Sequence, residues 1–220
     1  MDAIAPPQSP APSAEVRPAD PTQRPITLER RNGAVLGASV GVGFAGASGF
    51  PNNAQLQGNP AYYSESPLLV GWSTSYFLMG ALTDYVSFGP MLNIATFESE
   101  KWKSTGFGLG FRGEVFPLVG LAKMWNTDFL ADTSIYGQVG LGTTELRAKG
   151  PYPTADGTQS FLGLGLHQEF RLTKLLGGHV AAGPHVEYDL IRAEFMERHW
   201  LTVGLRLAWY GGSVQLDSAR

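Results

Sequence analysis

The 220 residues carry 16 Lys and Arg against 19 Asp and Glu, a formal net charge of −3, and no cysteine. That balance gives no basic footprint for nucleic acid, and the lack of cysteine excludes disulfides and thiolate metal sites. No apolar run reaches the roughly 18 residues of a transmembrane helix, which leaves a membrane-spanning barrel open.

Residues 1–32 hold seven prolines among Ala, Ser, Gln and charges, without the apolar stretch of a signal peptide. So polar a segment cannot offset its ordering entropy by burial, and it is predicted to be a disordered arm. From Gly33 onward the apolar side chains recur at every second position, the mark of strands whose successive residues face opposite sides. The first predicted strand, about 34–48, sets Leu36, Ala38, Val40, Val42 and Phe44 against glycines and serines. The second, about 67–80, sets Leu68, Val70, Trp72, Tyr76 and Leu78 against Gly71, Ser73 and Ser75. The third, about 85–97, places Val86, Phe88, Leu92 and Ile94 opposite Ser87, Gly89 and Asn93.

The fourth, about 104–116, alternates Phe107, Leu109 and Phe111 with glycines, and its glycine face continues as Arg112 and Glu114. The connection 117–132 spaces Leu118, Leu121, Ala122, Trp125 and Phe129 for a short amphipathic helix, placed to cover a barrel mouth or lie at the membrane interface. Four further strands follow, at about 133–146, 159–172, 178–191 and 199–210. Residues 213–220 are read as a tail.

Across all eight the apolar face carries no charge, whereas the other face carries Arg112, Glu114, Glu169, Arg171, Glu187, Asp189 and Arg206. The predicted strands exceed the usual 5–6 residues of soluble sheets and match the 9–11 tilted residues that cross a bilayer. All five lysines fall in predicted connections rather than on a water-facing strand surface. These facts predict an all-β, eight-stranded antiparallel up-and-down transmembrane barrel over 33–212, its apolar face in the lipid bilayer and its charges inward. An Arg or Lys facing lipid near the midplane costs about 2–4 kcal/mol, so the charges must turn into the lumen. Inward glycines leave room for them, and the upper part of the lumen is expected to be small-lined. Pro90 and Pro184 fall on lipid-facing positions, where a bulge or a missing ladder bond is expected.

The span 33–212 resembles the small eight-stranded outer-membrane barrels of Gram-negative bacteria, such as OmpX, OmpW and the transmembrane part of OmpA. The likeness rests on strand count, alternation and the aromatic-ended final strand "LTVGLRLAWY". Ten residues, "GGSVQLDSAR", follow Tyr210 where that family usually stops at an aromatic. The resemblance implies a place in the bacterial outer membrane and the outer-membrane assembly machinery as a partner.

The candidate lumen network is Arg112, Glu114, Tyr136, Gln138, His167, Glu169, Arg171, His179, His185, Glu187, Asp189 and Arg206. Hairpin counting sets His167 across from His185 and Arg171 near His179. A charge in so narrow a lumen must be paired, which predicts a salt-bridged plug. "GVGFAG", residues 41–46, matches a dinucleotide fingerprint but lies inside a strand, so no cofactor is expected. His199 sits at a predicted strand end without an obvious serine, every strand histidine is read as inward, and no catalytic set is expected. Asn52, Asn53, Tyr62 and Tyr63 in the first outer loop are candidate contacts for an unknown ligand. The expected role is structural, anchoring or surface-binding. The alternatives are a narrow channel for a small hydrophobic or ionic solute, a lipid-modifying barrel enzyme, or a soluble lipocalin-like carrier.

Overall fold

The computed structural model describes residues 31, 33–125, 127–150 and 153–211. Most of the predicted arm and the tail after Gly211 lie outside the described residues. The strands are β1 (Gly33–Gly49), β2 (Ser64–Glu65), β3 (Leu69–Thr83), β4 (Val86–Glu98) and β5 (Trp102–Val115). Helices α1 (Val119–Trp125) and α2 (Asp128–Ala131) come next, followed by β6 (Thr133–Ala148), β7 (Ala155–Gln168), β8 (Phe170–Leu175), β9 (Gly178–Arg192) and β10 (Met196–Tyr210). β7 and β8 are two halves of one stave interrupted at Glu169, and β2 is a flap on the end of β1. The remaining neighbours pair antiparallel in chain order, and β10 pairs with both β9 and β1. The ring is therefore closed by eight staves, and closure satisfies the backbone groups that lipid cannot.

The period-two pattern decides which face is which. Leu36, Val40, Val42, Leu109, Phe111, Leu141, Leu164 and Leu205 are all exposed on the outer wall. Arg112, Glu114, Glu187, Asp189 and Arg206 are buried inside. In lipid the exposed row is the buried one, so the exterior belt is the molecule's larger apolar surface. The outer rim is polar, with Glu145 paired to Arg147 and Glu98 to Lys103 and Lys149. Lys103 and Lys174 lie within β5 and β8, near the strand ends, rather than in connections.

Both expected proline defects are present. The β3–β4 ladder runs to Phe77 opposite Met91 and resumes at Gly80 opposite Phe88, skipping Pro90. The β7–β9 ladder stops at His167 opposite His185, and β8 resumes at Phe170 opposite Ala182, skipping Pro184. On their other sides Pro90 and Pro184 pair with Phe111 and Leu205 without a break. Proline lacks the N–H aimed at one neighbour only, so one ladder breaks and the other survives.

The β8–β9 hairpin turns through Leu176 and Gly177, both at positive φ (50° and 75°). That is the type I′ geometry whose twist matches the flanking strands, and glycine adopts it freely. This turn, the Asp84–Tyr85 turn, the 116–132 connection, the start of β1 and the end of β10 share the lower end. The opposite end carries the connections 50–68, 99–101, 149–154 and 193–195, as the strand count requires.

Candidate functional site

Three layers of inward side chains line the described interior. The upper layer was expected to be small and is not. Leu69, Phe97, Leu146, Phe161, Ile191, Met196 and Trp200 are all buried there, with Trp200 packed against Phe97 and Phe161 at ring distances of 6.5 and 6.2 Å. Apolar residues near the ends of several strands turn inward, so the charge-free face was legible but the content of the other face was not. Within this layer Arg198, missed because β10 was predicted to begin at 199, is fully buried. Its guanidinium donates to the Ala95 carbonyl at 3.1 Å and lies 4.7 Å from the Trp200 ring centroid. Gly106 faces that guanidinium so closely that a methyl group would collide with it.

The middle layer is polar. Arg206 Nη2 donates to both oxygens of Glu114 at 3.0 Å, and Arg206 also contacts Glu169. Arg112 Nε donates to Glu114 Oε1 at 2.8 Å, and its Nη1 lies 3.7 Å from Glu187. Glu187 accepts from Tyr136 Oη at 2.8 Å and from Asn93 Nδ2 at 3.3 Å. Tyr210 Oη donates to Glu169 at 2.7 Å, and Gln138 Nε2 to Asp189 at 3.4 Å. His167 Nε2 lies 3.6 Å from Glu169, and His185 sits directly across the ladder from His167, as predicted. Phe77 lies 4.6 and 4.8 Å from the two arginine heads, a cation–π floor for both.

The inward glycines are spaces already taken. Gly163 faces the Asp189 carboxylate, and Gly165 faces the Tyr136 ring. These two glycines sit where a large polar group on a neighbouring strand leans across, whereas Gly37, Gly108 and Gly142 face Phe77, Phe161 and Ile191.

One predicted member falls elsewhere. Arg171 pairs with Ala181, two residues from His179, and is exposed at the lower end rather than buried in the network. A bulge between Arg171 and Thr173 shifts the register there, which hairpin counting could not foresee. His179 is buried lower down, stacked on Tyr210 at 4.9 Å.

The lower mouth is covered by the 116–132 connection. Phe116, Val119, Ala122 and Ala131 form a small core, while Leu121, Met124, Trp125 and Phe129 face outward. Leu121, Trp125 and Phe129, expected on the same face as Ala122, thus lie away from it. Arg31, counted in the predicted arm, is buried in this mouth. Its Nη2 lies 2.6 Å from Asp132, its head 3.4 Å from the Phe116 ring centroid, and its backbone N–H donates to Asp84.

At the outer end, loop 50–68, the first residues of β7 and connection 193–195 border an open cavity of about 450 Å3. Asn52, Gln57, Asp156, Arg192, Glu194 and Phe195 line it. Of the candidate loop contacts, Asn52 lines this cavity. The Asn53 side chain accepts from the Gln55 N–H, and Tyr63 packs on Phe50 at 5.2 Å. Tyr62 is exposed beside it. "GVGFAG" lies within β1, away from any helix. His199, read as a strand-end residue, is inside β10 and faces outward, so the strand histidines are not all inward.

No family model matches the sequence, and no curated protein matches it. Among solved structures, it is similar to Ail, the attachment invasion locus protein of Yersinia pestis, crystallised with the heparin analogue sucrose octasulfate. Identity is 12% over 79% of this chain and 98% of that one, with a TM-score of 0.43. The N-terminal β-barrel domain of Pseudomonas aeruginosa OprF matches at 12% identity over 82% and 98%, with a TM-score of 0.42. The outer membrane protein OprG of the same organism matches at 10% over 84% and 99%, with a TM-score of 0.38. The chain is a closed transmembrane barrel, as its own ring of strands and apolar outer belt indicate.

Proposed function

We propose that this outer-membrane barrel is closed by its own side chains and anchors a binding surface built from its outer loops, with no enzymatic activity of its own. The observation that carries the reading is the ion-pair set Arg206, Glu114, Glu169, Arg112 and Glu187, which joins β5 to β9, to β10 and to the break between β7 and β8 across the lumen. Eight strands leave an interior that side chains alone can fill. Ion pairs spanning it, between an apolar layer above and the Arg31–Phe116 contact below, leave little width for solute. The aromatic-ended β10 supports delivery by the outer-membrane assembly machinery.

The loop cavity supports the binding half of the reading. Its lining mixes both charge signs with amides and one aromatic, which suits a polyhydroxylated or zwitterionic ligand better than an apolar one. Planar-bilayer recording of the refolded full chain tests closure, with silence expected. Steady conductance would overturn it in favour of a narrow channel. Binding to a glycan array, lost on Asp156→Ala, tests the loop surface.

A further inference from the structure

The polar groups of the lower mouth converge on one side chain. Arg31 precedes β1, and Gly33, at a φ of 76°, turns the chain from the mouth into the barrel wall. The guanidinium is almost wholly buried, and its partners come from separate lower-end elements. Nη2 lies 2.6 Å from Asp132, just after α2, and 3.9 Å from Glu169, at the break between β7 and β8. Nη1 donates to the Asp84 carbonyl, in the turn after β3, at 3.3 Å. The head also lies 3.4 Å from the ring centroid of Phe116, just past β5, and 5.9 Å from that of Tyr210, at the end of β10.

We propose that the lower mouth is a binding site for a guanidinium group, which Arg31 fills in cis as a latch that seals the lumen from below. The order of contacts selects that group. A guanidinium is planar and weakly hydrated, so it can lie on an aromatic face while its edge donates to carboxylates and a carbonyl at once. An ammonium brings the same charge as a compact, strongly hydrated point, and it has no flat face for the ring. An anion would be repelled by Asp132 and Glu169. When Arg31 is withdrawn the site is one cation short, because Glu169 shares Arg206 with Glu114. The groups that hold Arg31 then accept a guanidinium from solution.

The inference goes beyond closure by ion pairs and rests on the lower-mouth contacts alone. Because the chain has no cysteine, Ser134→Cys supplies a single thiol as reporter. Ser134 is buried and pairs with His167, whose ring centroid lies 5.8 Å from that of Phe116. Iodoacetamide labelling of the full chain refolded in detergent, followed by mass spectrometry, reads whether the mouth is sealed. Arg31→Gly is expected to speed labelling roughly tenfold, the scale of one charge-assisted hydrogen bond. Millimolar methylguanidinium is expected to restore most of the protection, and the same concentration of methylammonium is not. Adding Asp132→Asn to Arg31→Gly is expected to abolish the methylguanidinium effect. Arg31→Lys keeps the charge without the planar fork and is expected to label nearly as fast as Arg31→Gly. It carries the same comparison if Arg31→Gly does not fold, folding being read from heat-dependent gel mobility. Unchanged labelling without Arg31, or protection by methylammonium equal to that by methylguanidinium, would overturn the proposal. Bilayer recording reads the whole lumen and thiol access only its lower mouth, so the latch and the closure can fail independently.

Discussion

Arg206 on β10 reaches Glu114 on β5 across the lumen, 92 residues away in sequence, with one nitrogen 3.0 Å from both carboxylate oxygens. The same guanidinium contacts Glu169, so one cation serves two buried carboxylates. Removing one partner of such a buried pair costs about 3–5 kcal/mol, because the other charge is left uncompensated.

Arg206→Met is therefore expected to lower barrel stability by about that amount. Arg206→Met with Glu114→Gln is expected to recover part of the loss, because one stranded carboxylate is gone while Glu169 remains. Urea unfolding in lipid vesicles, arranged as a double-mutant cycle, measures the coupling. Strict additivity would mean that the two residues do not interact in the folded barrel.

The face assignment makes an asymmetric prediction. Leu141, 68% exposed, lies on the outer belt opposite Leu109, and Leu141→Arg places a charge in lipid at about 2–4 kcal/mol. Ser87 is inward and buried, and its hydroxyl has no hydrogen-bond partner among the described residues. Ser87→Ala is thus expected to change stability by less than about 0.5 kcal/mol. Equal folding yields for both variants in vesicles would reverse the two faces.

Gly106 tests the upper layer. Its missing side chain is the space into which the Arg198 head leans. Gly106→Ala forces that buried guanidinium to move, and overpacking of this kind costs about 1–3 kcal/mol. Gly106→Ala combined with Arg198→Met is expected to be milder than Gly106→Ala alone. A larger loss in the double variant, read by thermal unfolding in detergent, would show that the two positions do not meet.

The outward face of α1 makes a prediction about depth. Trp125 is 62% exposed beside Leu121 and Met124, and Phe129 on α2 packs against belt residue Phe170 at 6.3 Å. That continuity places the helix at the headgroup level, where aromatic rings are favoured. Because the chain has no cysteine, Trp125→Cys can carry the sole polarity-sensitive fluorophore. Blue-shifted emission in vesicles is expected, and emission like that of the water-exposed label would place α1 in the aqueous phase.

Strand number, closure and the apolar outer wall were legible in the residues alone. A strand's side chains alternate strictly, and a lipid-facing row tolerates no charge, so composition along each face carries the answer without any knowledge of partners. The inward placement of Arg112, Glu114, Glu187, Asp189 and Arg206 followed from the same rule, as did the ladder gaps at Pro90 and Pro184. What faces what across the lumen was decided only by tertiary structure. Arg206 meets Glu114 through strand tilt and stagger, which depend on how the ring closes. The bulge after Arg171 is a one-residue event that leaves no periodic trace, and it left Arg171 exposed at the lower end. Arg198 escaped notice because β10 begins three residues earlier than its pattern suggested, and strand ends are set by neighbours to pair with. Arg31 lies in a polar, proline-rich context that predicts disorder, yet Asp132 and Phe116 hold it in the lower mouth. Long-range contacts of one arginine with Asp132, Glu169, Asp84, Phe116 and Tyr210 are invisible to local composition, and here they decide where the barrel's lower end begins.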